Sequence, residues 1–476
     1  MSLTRRGFII AGAALAAAVG VGLYSVSGPG AGLNKVPRSR ARSIPSDDAL
    51  GPSVDAIVIG GGFVGTSTAL ELAARGLSVA LFEKGVVAGE ASGRSVGWIE
   101  SQSQSPLKQE LAELSRGLWR GLNERTGEET GYRPDRLANF LHSDEEVEAA
   151  RAWLASVDSL PNGEARLISP REAQALMPGV EGDWKAVLYS PGEGKAEPKL
   201  AAPAIALGAR KLGAKIFQNE AVRGLILEGG KAVGVVTEKR EVRAGIVILA
   251  GGAWSSLMAR SLGLDLPQVT AYATSSSIDP VPDGPEVSAI FGGTLLRREI
   301  DGGYTGGEAA AVAPITPDAI RNAPRLLPAL GAMGEMVDPT LSIPEFWKAL
   351  TTPRRWALDA ISPFEETRIL DPEIVPERID NGWKTIGEIH PAFRNIRIRE
   401  RWAGALATTI DNMPVISEVA QVPGLLVGSG LYYGLTWGPA AGRILADLAT
   451  GETPPIDVAP FRFSRFASGE KLGFHP

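Results

Sequence analysis

Three glycines, Gly60, Gly62 and Gly65, follow the apolar run VDAIVIG in a G-x-G-x-x-G spacing, and Glu83 closes the next apolar run, LSVALFE. Residues of these types at these positions suit the binding of a dinucleotide. Gly60 permits a tight turn, Gly62 lets a pyrophosphate approach the main chain, and Gly65 lets a helix close onto a strand. The first N–H groups of that helix favour an anion, and Glu83 is placed to accept hydrogen bonds from an adenosine ribose. Glycines serving only a tight turn are the alternative reading. The strand, the helix and the acidic residue in the correct order argue against it.

The elements that must position these residues are also legible. VDAIVIGGG reads as a buried parallel strand, FVGTSTALELAARG as a helix stopped by Gly76, and LSVALFE as a second buried strand. Together they make one βαβ unit. Three later stretches favour a flavin over a nicotinamide. AGEASGRSVGW (88–98) is a small-residue loop whose Arg94 could lie along a ribityl-phosphate chain. EVRAGIVILAGGAWS (241–255) is another buried strand opening into glycines. GLLVGSGLYYGLTWGPAAGRILADLATG (424–451) is strand, Gly-rich loop and helix, with Pro439 near the first turn, where proline is tolerated. Such a helix aims its positive end at a bound ring and stabilises the reduced anion.

Composition narrows the chemistry further. The 476 residues, 44% hydrophobic and 21% charged with a net charge of −6, suit two or three ordinary globular domains and give nucleic acid no basic patch. No cysteine is present, which excludes disulfides, thiolate nucleophiles, Cys-ligated zinc and iron–sulfur clusters. The three histidines, His142, His390 and His475, are too scattered for a metal site, so no metal is expected. The chemistry is then borrowed from an organic cofactor. His390, in EIHPAF, reads as a loop or capping residue.

The N-terminal stretch MSLTRRGFIIAGAALAAAVGVGLYSVSGPG pairs Arg5 and Arg6 before an uncharged run from Gly7 to about Ser27. That layout fits a twin-arginine address for export of a folded protein. It also fits a plain anchor with its arginines on the inside, since about 20 apolar residues span a bilayer. The expectation is a signal retained as an anchor over 1–27 and a tether over 28–53, placing the body at the inner membrane on the periplasmic face.

TRRGFII, GLSVALFEKGVVAGEASGR, VILAGGAWS, LDAISPFEETR and WAGALATTIDNMPVIS together carry a resemblance. The chain resembles the D-amino-acid-oxidase-type flavoproteins, which include sarcosine and glycine oxidases. More narrowly, it is similar to the membrane-bound L-amino acid deaminases of enteric bacteria. SPFE lies in an insertion that the simpler oxidases lack. The resemblance implies an α/β fold: a discontinuous Rossmann-like FAD domain over 54–130, 195–265 and 396–460, beside a β-sheet substrate domain over 131–194 and 266–395. The substrate domain carries a hairpin turning at Asp301-Gly302-Gly303 and a helical insertion over 316–366, and 461–476 is a tail.

The implied cofactor is noncovalent FAD. Beyond Gly60, Gly62, Gly65 and Glu83, the residues matching the family's flavin motifs are Phe63, Val64, Lys84, Ala91, Ser92, Arg94, Ser95, Gly97, Val222, Ala250, Gly251, Gly252, Trp254, Gly404, Gly430, Gly434, Leu435 and Thr436. Trp98 and Tyr433 stand where the family lines its active site, while Tyr432 and Trp437 can equally face pocket or core. The implied reaction oxidises a C–N bond by hydride transfer to flavin, giving an imine and then a keto acid and ammonia. A membrane quinone or cytochrome is the implied electron acceptor.

The family clamps a substrate carboxylate with an arginine, and this chain departs from that pattern. The simple oxidases place it just after WAG, where Leu406 stands; the deaminases place it after the hairpin, where YTGGEAAAVAP offers Glu308. Arg297 and Arg298 on the incoming hairpin strand are candidate replacements, or solvated strand positions. Glu308 is a candidate holder of a cationic amine, or a surface carboxylate. An amine lacking a carboxylate, oxygen as acceptor, an NADPH-dependent flavin monooxygenase and a non-turnover flavoprotein partner remain as alternative readings.

Overall fold

The structure, a computed structural model, describes residues 38, 40–333, 337–467 and 472–475. The expected signal or anchor over 1–27 lies outside them, as does most of the first part of the tether. No helix among the described residues is long and apolar enough to cross a membrane.

The apolar run before the glycines forms the strand Ala56–Ile59, buried at every position, and the helix Phe63–Ala74 follows. This strand lies inside a six-stranded sheet. It pairs in parallel with Val79–Glu83 on one side and Ile246–Leu249 on the other. One neighbour is next in sequence and the other comes far later, so strand order reverses at this point. Open α/β sheets bind ligands in the crevice at the carboxyl ends of such strands. Leu425–Ser429 extends the sheet in parallel and Val415–Glu418 caps that edge antiparallel, while Lys215–Gln218 closes the other edge.

A second, eleven-stranded mixed sheet carries the Thr294–Arg298 and Tyr304–Glu308 hairpin, which turns over the expected Asp301-Gly302-Gly303. Its longest ladder joins Gln268–Ile278 to Ile398–Thr409, from Gln268↔Thr409 to Ile278↔Ile398. The sequence boundary at 396 puts Ile398–Thr409 with the cofactor half, whereas its backbone hydrogen bonds put it in this sheet. Trp98–Ile99 also pairs here, with Lys195 and Gly194. The loop that leaves the dinucleotide unit therefore enters the second sheet directly. The insertion is helical, with Pro317–Met333, Ile343–Thr351 and Pro363–Glu366.

Pro439 lies inside the helix Gly434–Thr450 rather than in its first turn. A proline there has no N–H to give the carbonyl four residues back, which belongs to Leu435. The indole N–H of the fully buried Trp119 donates to that oxygen instead, at 3.0 Å. A neighbouring helix thus satisfies the carbonyl that the proline orphans.

Candidate active site

The glycine turn is built as its spacing demands. Gly60 has φ of +114°, and a Cβ there would stand 2.3 Å from the Ala250 carbonyl oxygen. A Cβ on Gly65 would stand 1.9 Å from the Gly60 oxygen. Gly62 begins the helix with no side-chain cap, which leaves main-chain donors at the helix N-terminus for an anion. Only the Phe63 N–H is taken locally, by Ser92 Oγ at 3.0 Å. Glu83 accepts the Gly61 and Gly85 N–H groups, each at 2.7 Å. Burial pushes its carboxyl above the ordinary value.

From this turn a cavity of about 1290 Å³ runs between the two sheets. Gly60, Gly62, Phe63, Val64, Glu83 and Lys84 line one end. Ala91, Ser92, Arg94 and Ser95 line its side, as do Val222, Ala250, Gly251, Gly252 and Trp254 from neighbouring strand ends. Gly404, Gly430, Gly434 and Leu435 line it from the far strands and from the start of the 434–450 helix, which likewise has no side-chain cap. A drug-sized ligand needs roughly 300–1,000 Å³, so this space suits a dinucleotide with a substrate beside it. The bare turn, the two uncapped helix starts and Glu83 all fit FAD.

Three expected cofactor residues stand off the lining. Gly65 acts by letting the helix rest on the turn. Gly97, at φ of +102°, makes room for Arg297, whose Nε would lie 2.6 Å from a Cβ there. Thr436 hydrogen-bonds Trp98 and Glu100 across the cavity floor, accepting the Glu100 N–H at 3.2 Å.

Trp98, Tyr432 and Tyr433 line the cavity, with the two tyrosine rings 4.1 Å apart. Trp437 is core instead: it is fully buried, with its N–H on Gln104 Oε1 at 3.2 Å. Leu406 lines the cavity and brings no charge. Glu308 also lines it, but pairs with Arg378 at 3.1 Å.

The candidate carboxylate clamp is corrected here, because both guanidiniums are engaged away from the lining. Arg297 is 1% exposed and holds Glu197 through two contacts, at 2.9 and 3.2 Å, with a third bond to the Val96 oxygen. Burial opposes ionisation of Glu197, yet Arg297 keeps its carboxyl below the usual range. Arg298 turns outward to the exposed Glu286. None of the three histidines lines the cavity. His390 caps the 3₁₀ turn after it, accepting the Ala392 N–H, and also contacts the Pro178 oxygen. No described group of three His, Cys, Asp or Glu residues is arranged to hold a metal ion.

Sequence reasoning stopped at Trp98 and missed three polar residues just beyond it. Glu100, Gln102 and Gln104 all line the cavity and all are buried. Glu100 is 4% exposed, with its Oε2 unpartnered, and the Gln102 Oε1 has no partner either. Burial, and then the nearby Glu193 carboxylate, push the Glu100 carboxyl up to about 8. The one sequence signal was an acid set directly behind the apolar pair Trp98–Ile99.

Comparison with known proteins agrees with this geometry. Residues 55–448 match the DAO family model, described as FAD dependent oxidoreductase. A glycine oxidase of Pseudomonas aeruginosa is 28% identical over 413 residues, covering 85% of this chain and 97% of that protein. The L-amino acid deaminase of Proteus myxofaciens, solved in complex with anthranilate, superposes with a TM-score of 0.87 at 33% identity. That match covers 90% of this chain and 98% of the deaminase. The Proteus vulgaris L-amino acid deaminase gives 0.85 at 30% identity, covering 89% of this chain and all of that one. FAD is the cofactor that the family description names, and the cavity fits it.

Proposed function

We propose that this chain, which belongs to the DAO family of FAD-dependent oxidoreductases, oxidises the C–N bond of an amino acid or amine. The imine formed is hydrolysed by water to a carbonyl product and ammonia. The observation that carries this reading is the continuous cavity, which joins the glycine turn to a pocket walled by Trp98, Tyr432 and Tyr433. When bound, the flavin supplies the hydride acceptor.

The protein's own residues supply placement. The aromatic wall excludes water from the reacting carbon, and positioning of this kind accounts for much of what such a site must do. The uncapped start of the Gly434–Thr450 helix sets a positive dipole end at the cavity. The similarity to two L-amino acid deaminases supports an amino-group substrate.

The electrons then pass to a membrane quinone or cytochrome. Support for this comes from the sequence: Arg5 and Arg6 before a long apolar run suit an anchor at the inner membrane, on the periplasmic face. Purified protein turning over its substrate should reduce a quinone analogue and release little hydrogen peroxide. Peroxide formed one for one with the product would instead make oxygen the acceptor.

A further inference from the structure

We propose that Glu100 seats the positively charged nitrogen of the substrate and takes its proton. The inference rests on the C–N oxidation reading above and narrows it.

Glu100 is held rigidly from both sides. Its N–H donates to Thr436 Oγ1 at 3.2 Å, and its carbonyl accepts the Gln104 amide at 2.7 Å. The side chain that this backbone presents lines the cavity, is 4% exposed and leaves Oε2 without a partner. An independent observation points the same way. Gln102 is also buried in the lining, and its amide nitrogen is spent on the Leu188 oxygen at 3.1 Å and on Ser190 at 3.0 Å. That leaves its Oε1 as an unpartnered acceptor. Gln268 repeats the pattern, with its nitrogen on Ser429 Oγ at 3.0 Å and its oxygen unpartnered.

Buried acceptors without donors are costly, and a ligand carrying several N–H groups satisfies them. An ammonium is such a ligand, being all donor and no acceptor. The Trp98 indole N–H, also buried and unpartnered in the lining, can meet an acceptor elsewhere on the ligand. Two of the three guanidiniums in the lining are already committed. Arg94 donates to Asp371, the Gly89 oxygen and the Ala403 oxygen, and Arg260 pairs with Asp318. Arg354 lies in the insertion 3.9 Å from the same Asp318, with its side chain half exposed.

The step balances. An N–H bond of the ammonium breaks, its proton goes to the Glu100 carboxylate, and the nitrogen keeps the electron pair. That pair forms the C=N bond as hydride leaves the adjacent carbon for the flavin. Burial and Glu193 raise the Glu100 carboxyl to about 8, so in the free protein it is mostly protonated at neutral pH. A bound ammonium favours the carboxylate, which is then a stronger base than an ordinary glutamate. Tyr433, which hydrogen-bonds this carboxyl, Tyr432, and the Lys108 ammonium, which is bonded to the His475 oxygen, are the other titratable groups near it.

The test compares two unreactive probes of one shape on the flavin-loaded protein: tert-butylammonium and pivalate. Neither has a hydrogen on the carbon that bears its charged group. The ammonium should shift the flavin absorption spectrum and raise Tm, and pivalate should do neither. Glu100→Gln, checked for full flavin content, should weaken ammonium binding at least tenfold. Pivalate binding as tightly as the ammonium, binding by neither probe, or a flavin-loaded Glu100→Gln that binds like wild type would overturn the proposal. If the variant does not fold, the two probes on the wild-type protein decide. Neither probe is oxidised, so a failure of the C–N oxidation reading shows separately, as a flavin that no amine reduces.

Discussion

Replacing Gly65 by alanine yields a protein that no longer retains its flavin. The added Cβ would stand 1.9 Å from the Gly60 oxygen and 3.3 Å from a Val58 methyl, and the nearer atom is main chain that no rotamer change can move. The helix must lift off the turn. Overpacking of this kind costs about 1–3 kcal/mol in stability, and the larger effect falls on the donors aimed at the pyrophosphate. Misplacing them should weaken FAD binding by about 100-fold, about 2.7 kcal/mol. The flavin-to-protein absorbance ratio after gel filtration, followed by titration with added FAD, measures this. Gly117→Ala is the control: its Cβ meets nothing within 4 Å inside the helix Pro106–Arg120. Alanine gains up to about 1 kcal/mol over glycine there, and that variant should stay yellow.

Arg297→Met should unfold far more readily while its KM stays at the wild-type value. The guanidinium is fully buried against Glu197, with Glu299 also close in the same buried region. Removing one partner of a buried pair typically costs about 3–5 kcal/mol, because the remaining charge is stranded. Adding Glu197→Gln to the same chain should recover part of that loss, and a double-mutant cycle isolates the coupling. Arg298→Ala, whose partner Glu286 is exposed, should leave both stability and KM near wild type. A tenfold rise in KM for an α-amino acid at unchanged Tm in Arg297→Met would restore the carboxylate clamp.

The structure shows which parts of the molecule were legible in advance. The turn at Gly60–Gly65 and Glu83 could be read because a dinucleotide cradle is assembled within one βαβ unit, where sequence neighbours are also spatial neighbours. The hairpin at Asp301-Gly302-Gly303 was legible for the same local reason. Arg297 was misread because its partner, Glu197, lies a hundred residues earlier in the chain. Gly97 has the same origin: its missing side chain makes space for that distant guanidinium and not for a cofactor. Pro439 required a tryptophan from another helix to be tolerated where it stands. Glu100 was invisible for a different reason. A carboxylate behind two apolar residues reads as a strand end turning to solvent, and only the meeting of the two sheets turns it into the cavity.

The central claim is that FAD held on the bare Gly60–Gly65 turn accepts hydride from a C–N substrate in the pocket of Trp98, Glu100 and Tyr433. Anaerobic mixing of the purified yellow protein with a panel of amines and amino acids, with NADPH as a separate arm, tests it most directly. The account predicts that at least one amine bleaches the flavin band and releases ammonia, and that NADPH leaves it unchanged. A flavin bleached by NADPH and by none of the amines or amino acids would contradict it.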